Sequence, residues 1–316
     1  MSDTEKLHLP SLSIRTFRGI DTLTIPRLGR VTVLAGMNSV GKTTVLDAVR
    51  VYAARGRYSV VHELLADRQE VTVTEDEDGD PVREIDWIAL FHGRSTDEST
   101  SILIGPANGE DQLRISPTPS DEGAEEQLGL IFDPNETPFQ ILKVMFRDHR
   151  HYLGSFRRLR YEGRIRQRSL GDEDAAPHIT CEHIGPGMLG ERDMSRFWDR
   201  VALTDDEHQA VRALEMVIGN EVARVAMIGD GESRVRISGR RAVIRLKSYD
   251  RPVPLKSLGD GAVRLFGVAL ALANSRGGFL LIDEAENGIH HSVQRDFWKM
   301  VLATAQMNDV QPGLFA

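Results

Sequence analysis

The segment GMNSVGKTTVLDA, beginning at Gly36, constrains this chain more than any other. It fits the spacing GxxxxGKT, with Gly36, Gly41, Lys42 and Thr43 in the four defining places. RVTVLA before it reads as a short apolar strand, and TTVLDAVRVYAARG after it reads as a helix closed by Gly56. A glycine loop in that setting turns successive N–H groups inward, and the helix adds the positive end of its dipole, so a triphosphate is held largely by main chain. Gly36, Asn38, Ser39, Val40, Gly41, Lys42, Thr43 and Thr44 are therefore the candidate residues for binding a nucleoside triphosphate such as ATP. Lys42 is placed to neutralise the β and γ phosphates. The Thr43 hydroxyl suits Mg2+, which prefers hard oxygen ligands.

Two later segments carry matching chemistry. In GGFLLIDEAENGIHH, from Gly277, four apolar residues end in Asp-Glu. This pattern describes a buried strand delivering two carboxylates at its C-terminal end, where open α/β sheets place their ligands. Asp283 is then a metal ligand, and Glu284 the group that orients and deprotonates a water attacking the γ phosphate. In LKSLGDGAVRLFGVALALANS, from Leu255, Ser257, Gly259 and Gly261 precede an apolar helix and make a second phosphate-type site at a helix N-terminus. One loop is enough for one nucleotide, so the second site is expected to serve the nucleotide of another subunit.

Composition sets limits on the rest. With 316 residues, 27% charged and 41% hydrophobic, the chain is long enough to bury a sizeable core. Its longest apolar run, LFGVALALA from Leu265, is about half of the roughly 20 residues that cross a bilayer, so no membrane partner is expected. A single cysteine, Cys181, makes no intramolecular disulfide, and a reducing cytoplasm is the expected setting. The net charge of -8 gives no global attraction to nucleic acid.

The pattern along the chain is interrupted. LPSLSIRTFRGIDTLTI reads as two strands about Arg18-Gly19. VTVTEDEDGDPVREIDWIALF and SILIGPANGEDQLRIS read as antiparallel hairpins with Asp-Gly and Asn-Gly turns, the acids of EDEDGD lying at a solvated tip. From Ser116 to about Met194 the chain reads as an inserted helical and loop region. TDDEHQAVRALEMVIG then opens with a capping box, Thr204 to Glu207, and puts Val211, Leu214 and Ile218 on one helical face. RVRIS and AVIRL follow as a further meander. Three segments result: 1–115 with the phosphate loop and an antiparallel β subdomain, 116–200 as the insertion, and 201–316 with the remaining motifs.

GMNSVGKTT, SLGDG and LLIDEAENGIH, in that order, resemble the ATP-binding-cassette type ATPases of the RecF, SMC and OLD group. The SLGDG form and the compact insertion are most similar to OLD-like ATPases of bacterial phage-defence loci, and the absence of a heptad run separates the chain from SMC proteins. The resemblance covers roughly residues 10 to 56 and 252 to 306. It implies a mixed α/β P-loop NTPase fold of ABC type and an ATPase using ATP and Mg2+. It also implies a head-to-tail homodimer in which Ser257, Gly259 and Gly261 cap the nucleotide held by the other subunit's loop. Arg18 matches an FR residue that lies near the nucleotide in the group, and is also placed as an ordinary surface arginine would be. Gln69 and Gln140 both remain open as the Q-loop residue. The group often carries a nuclease on the same chain; here the effector, a nuclease or toxin, is expected on a separate one. A non-catalytic ATP-dependent scaffold and a RecF-like repair loader share these motifs. The last core strand of the group, with its histidine, is expected to be cut short, because NDVQPGLFA contains Pro312 and Gly313.

One stretch offers a partner surface. FRDHRHYLGSFRRLRYEGRIRQR, from Phe146, holds eight arginines with Tyr152, Phe156 and Tyr161 between them. Arg157, Arg158 and Arg160 would grip a DNA backbone, or else pair with acids of a protein partner or of the chain itself.

Overall fold

The computed structural model describes residues 7–36, 41–75, 81–97, 99–118, 142–153, 175–229 and 240–315. In chain order the strands and helices are β1 (Leu12–Phe17), β2 (Ile20–Ile25), β3 (Thr32–Leu34), α1 (Lys42–Ala53), α2 (Tyr58–Asp67), β4 (Val71–Glu75), β5 (Pro81–Ile85), β6 (Ile102–Gly105) and β7 (Leu113–Pro117). Then come β8 (Leu142–Phe146), β9 (His149–Leu153), β10 (Cys181–Ile184), α3 (Glu191–Val201), α4 (Asp205–Ile218), β11 (Val222–Gly229) and β12 (Arg240–Leu246). The chain closes with β13 (Val253–Pro254), α5 (Asp260–Asn274), β14 (Phe279–Ile282), α6 (His291–Met307) and β15 (Gln311–Phe315).

Two compact units are interleaved in sequence, so boundaries at 115 and 200 do not coincide with them. Residues 9–28 and 38–179 form one; residues 1–8, 29–37 and 180–316 form the other. The first unit is built on an antiparallel sheet in the order β2-β1-β6-β7-β8-β9. Both expected hairpins are present, as β4 with β5 and β6 with β7; the tip of the acidic one, residues 76–80, lies outside the described residues. DWIAL is a 3-10 turn over Trp87–Leu90, capped by the Asp86 carboxylate, not a continuation of the strand. In α1 the apolar spacing of VLDAVRVYA buries Val45, Leu46, Ala48, Val49, Val51, Tyr52 and Ala53, and Gly56, at φ 68°, ends the segment by donating its N–H to Val51 O.

The second unit carries a parallel sheet in the order β10-β14-β15-β3. Every residue of β14, Phe279 to Ile282, is buried, as expected where a parallel sheet is covered on both faces. Helix α5 is buried along residues 262–273, which include the apolar run from Leu265, and packs with α3, α4 and α6 in the same core. Among the described residues no helix is long and apolar enough to cross a membrane.

Two expectations need correction. The final strand is not cut short: β15 pairs with β14 on one side and β3 on the other. The Gln311 N–H points to the β14 side, donating to Gly278 O at 2.8 Å, so the Pro312 nitrogen faces β3. Pairing with β3 starts at Gly313 opposite Thr32, so Pro312 lies just before the first paired residue of that ladder, where the lack of an N–H costs it no rung. The insertion, where described, is not only helix and loop: besides α3 at its end it supplies strands β8 and β9 and strand β10 of the parallel sheet. AVIRL lies in β12, which pairs with β11 on one side and β13 on the other, whereas RVRIS lies outside the described residues. Phe146 and Tyr152 of the arginine-rich stretch are buried in the β8–β9 hairpin, so Tyr152 is a core residue. Arg157, Arg158, Arg160, Phe156 and Tyr161 lie outside the described residues, as does Gln140.

Candidate functional site

At the start of α1, Gly41 adopts φ 94°, and no side chain caps the helix. No acid occupies its first turn, which leaves the positive end of the helix dipole without a negative side chain from the helix itself. Lys42, Thr43 and Thr44 are its first three residues, all half-buried. This donor set fits a polyphosphate. Asn38, Ser39 and Val40 lie outside the described residues.

In the same unit Arg18 is fixed by a charge network. It sits in the turn between β1 and β2 at φ 52°, with its N–H donating to Leu90 O at 2.8 Å. Its guanidinium lies 3.6 Å from Glu70 and 4.0 Å from Asp47, a buried residue of α1. Arg68 donates to Asp47 at 2.5 Å, and Arg94 to Glu70 at 2.7 Å. Burial pushes the Asp47 carboxyl above the usual range, against the pull of Arg68 and Arg18; burial, with Arg68 nearby, also lowers Arg18. Arg18 Nη1 is buried with no partner among the described residues. Gln69, exposed at φ 57°, follows the end of α2. Asp47, Arg68 and Glu70 were not singled out in the sequence, because nothing local marks residues that meet only through the fold.

Within the other unit, the parallel sheet brings two motif ends to one edge. Ile282 of β14 is level with Leu314 of β15, which is level with Val33 of β3. Two interstrand spacings, about 10 Å, thus separate the strand that ends at Asp283 from the strand that runs into Gly36. Asp283 is buried, and its N–H donates to Ile184 O at 2.9 Å. Glu284 is exposed with φ 51°, and Asn287 Nδ2 donates to its Oε2 at 3.2 Å. A buried carboxylate beside an exposed one at a strand's C-terminal end suits a metal ligand and a base for water. His290 acts locally, its ring accepting from the Ser292 N–H at the N-cap of α6.

SLGDG also belongs to this unit. Leu255–Leu258 make a 3-10 turn, Ser257 and Gly259 are exposed, and Gly259, at φ 94°, caps α5 without a side-chain bond. Gly261 lies inside the first turn. A Cβ there would stand 3.1 Å from the Gly288 carbonyl oxygen, so this glycine lets α5 approach the loop after Asp283-Glu284. Arg264, one turn further along α5, was also missed by sequence reading, and its side chain ends on that same loop.

Residues 31–311 match the family profile described as "AAA domain, putative AbiEii toxin, Type IV TA system". The chain belongs to this AAA-domain family. The matched region runs from β3 through α6 to the first residue of β15 and includes Lys42, Asp283 and Glu284. Together with the parallel core and the antiparallel sheet, membership gives the AAA domain the mixed α/β P-loop ATPase fold of ABC type. No curated relative matches the sequence. Among solved structures, the SMC head domain from Thermotoga maritima aligns with 98% of this chain and 89% of its own, at 14% identity and TM-score 0.42. An SMC head bound to the C-winged helix domain of ScpA aligns with 98% and 90%, at 12% identity and TM-score 0.47. The recombination mediator RecF with ATP aligns with 98% and 93%, at 10% identity and TM-score 0.40.

Proposed function

We propose that this chain is an ATP-binding and ATP-hydrolysing switch subunit that dimerises head to tail around ATP and controls an effector on a separate chain. The observation that carries the reading is the shared edge of the parallel sheet, where the strand ending in Asp283-Glu284 and the strand entering the glycine loop are one strand apart. Lys42 and the first N–H groups of α1 take the phosphates, and Thr43 and Asp283 hold the metal. Magnesium, when bound, offsets charge on the phosphate oxygens. Glu284 orients the attacking water and accepts its proton. Ser257, Gly259 and Gly261 cap the nucleotide of the second subunit, which the exposure of Ser257 and Gly259 at the start of α5 supports. The family description names a toxin and a type IV toxin–antitoxin system, which supports a place in such a system or in the phage-defence setting of OLD-like ATPases.

Two measurements test this. ATP with Mg2+ should raise the unfolding temperature, since a ligand present at about 100 times its Kd stabilises by about 2.7 kcal/mol, and Lys42→Ala should remove most of the rise. Glu284→Gln should keep that rise while phosphate release falls by about a hundredfold or more. An equal thermal shift in wild type and Lys42→Ala overturns the binding assignment, and undiminished phosphate release by Glu284→Gln overturns the base.

A further inference from the structure

A buried arginine on α5 ends on four main-chain carbonyls. Arg264 is only 3% exposed. Its Nη2 donates to Asp283 O at 2.7 Å and to Glu284 O at 2.9 Å. Its Nη1 donates to Gly185 O at 3.0 Å and to Gly187 O. The guanidinium thus ties the loop after β14 to the loop after β10, the neighbouring parallel strand. Burial lowers its pKa, opposed by the charges of Glu284, Asp283 and Glu286. Its Nε has no partner among the described residues, so the side chain is committed to this carbonyl cluster.

The backbone it grips includes one of ten non-glycine positions at positive φ among the described residues. Glu284 has φ 51°, in the left-handed region that L-residues with a side chain rarely adopt. A conformation of that kind persists only where its surroundings hold it, and such residues cluster at functional sites. Of the contacts at Glu284, the Arg264 bond acts on its carbonyl, the group that the φ and ψ angles aim. Asn287 N–H donates to the same oxygen at 2.9 Å. A planar guanidinium spans several carbonyls at once; an ammonium is a point charge and cannot.

We propose that Arg264 is a positioning residue, which holds the main chain of Glu284 in its left-handed conformation and so aims the carboxylate at the reacting water. This rests on the reading of Glu284 as the base. One helix then carries the SLGDG loop at its N-terminus and, one turn on, the residue that sets Glu284 in the same chain. Capture of the second subunit's phosphates is mechanically joined to the readiness of the first subunit's base.

Two experiments separate this from a plain core role. The first uses thermal unfolding without nucleotide of Arg264→Lys, Glu284→Gly and the double variant. Glycine tolerates positive φ, so the loss caused by Arg264→Lys should shrink by about half in the Glu284→Gly background, a coupling expected only of residues that act together. The second is steady-state ATP hydrolysis. Arg264→Lys should lower kcat about tenfold with KM for ATP within about threefold, and should lower the residual rate of Glu284→Gln no further. Additive unfolding shifts, or an equal loss of rate in the Glu284→Gln background, overturn the proposal. A wild type that hydrolyses no ATP would refute the reading of Glu284 instead, and the unfolding cycle would still decide whether Arg264 holds that backbone.

Discussion

Glu284 keeps a side chain in a backbone region that costs an L-residue about 1–2 kcal/mol, whereas Gly41 and Gly259 reach positive φ without that cost. The glycines are legible in the sequence as motif members; the strained glutamate and its arginine are not. Motifs reveal residues that meet the ligand through fixed local spacing. Arg264 acts on carbonyls about twenty residues away and Asp47 on arginines of a turn and a helix end, so neither leaves a local trace. Glu182 belongs to this hidden class and gives a pH prediction. Burial raises its pKa, more than Arg196 and Arg200 lower it, so the folded chain binds this proton at higher pH than the unfolded chain. Its contribution is therefore most favourable at low pH and weakens as pH climbs through the raised folded value. Against wild type, Glu182→Gln should gain in unfolding temperature as pH rises from the ordinary carboxylate range towards neutrality. A constant difference, or one of opposite sign, would show that the ion pairs outweigh burial.

Single glycines decide whether the elements of the parallel sheet can meet. A Cβ on Gly278 would lie 2.2 Å from the Thr180 carbonyl oxygen, which accepts the Phe279 N–H at 2.8 Å and opens the β10–β14 ladder. Both groups are main chain and cannot step aside, so Gly278→Ala should cost at least the 1–3 kcal/mol typical of overpacking, about the loss of that ladder's first rung. Gly277, at φ 65° with open space where its Cβ would be, is the control: Gly277→Ala should cost only about 1 kcal/mol of backbone strain. Equal unfolding temperatures for the two variants would rule out the close approach as the cause. The same scale explains what sequence reading found among the elements. Hairpins were legible because Asp-Gly and Asn-Gly turns lie between strand-like runs. CEHI was missed because β10, at the edge of the sheet among the described strands, has only Ile184 buried and lacks the apolar run that marked β14. Pro312 was misjudged because a composition rule was applied where register decides: it lies before the first residue that β15 pairs with β3.

At the scale of the whole molecule, the question is why one chain carries two phosphate-type helix N-termini. The one at Gly41 has its lysine and threonine beside it; the one at Gly259 has an exposed serine and glycines, with no side-chain cap and Asp260 in its first turn. An uncapped helix start leaves N–H groups that gain from an anion, so on the proposed head-to-tail reading the exposed one would be stabilised by another chain's nucleotide. Binding that needs two surfaces is ATP-linked association, and mass action makes it depend on nucleotide. The expected outcome is a mass that doubles with ATP and Mg2+ by light scattering, most fully in Glu284→Gln, where hydrolysis no longer releases the interface. Ser257→Arg, which sets bulk and charge where the second subunit's γ phosphate belongs, should stay at the single-chain mass while keeping the thermal shift that ATP produces through Lys42. That pairing separates failed association from failed binding. A doubled mass without nucleotide, or one that persists in Ser257→Arg with ATP, would mean that the exposed loop caps its own helix and nothing more.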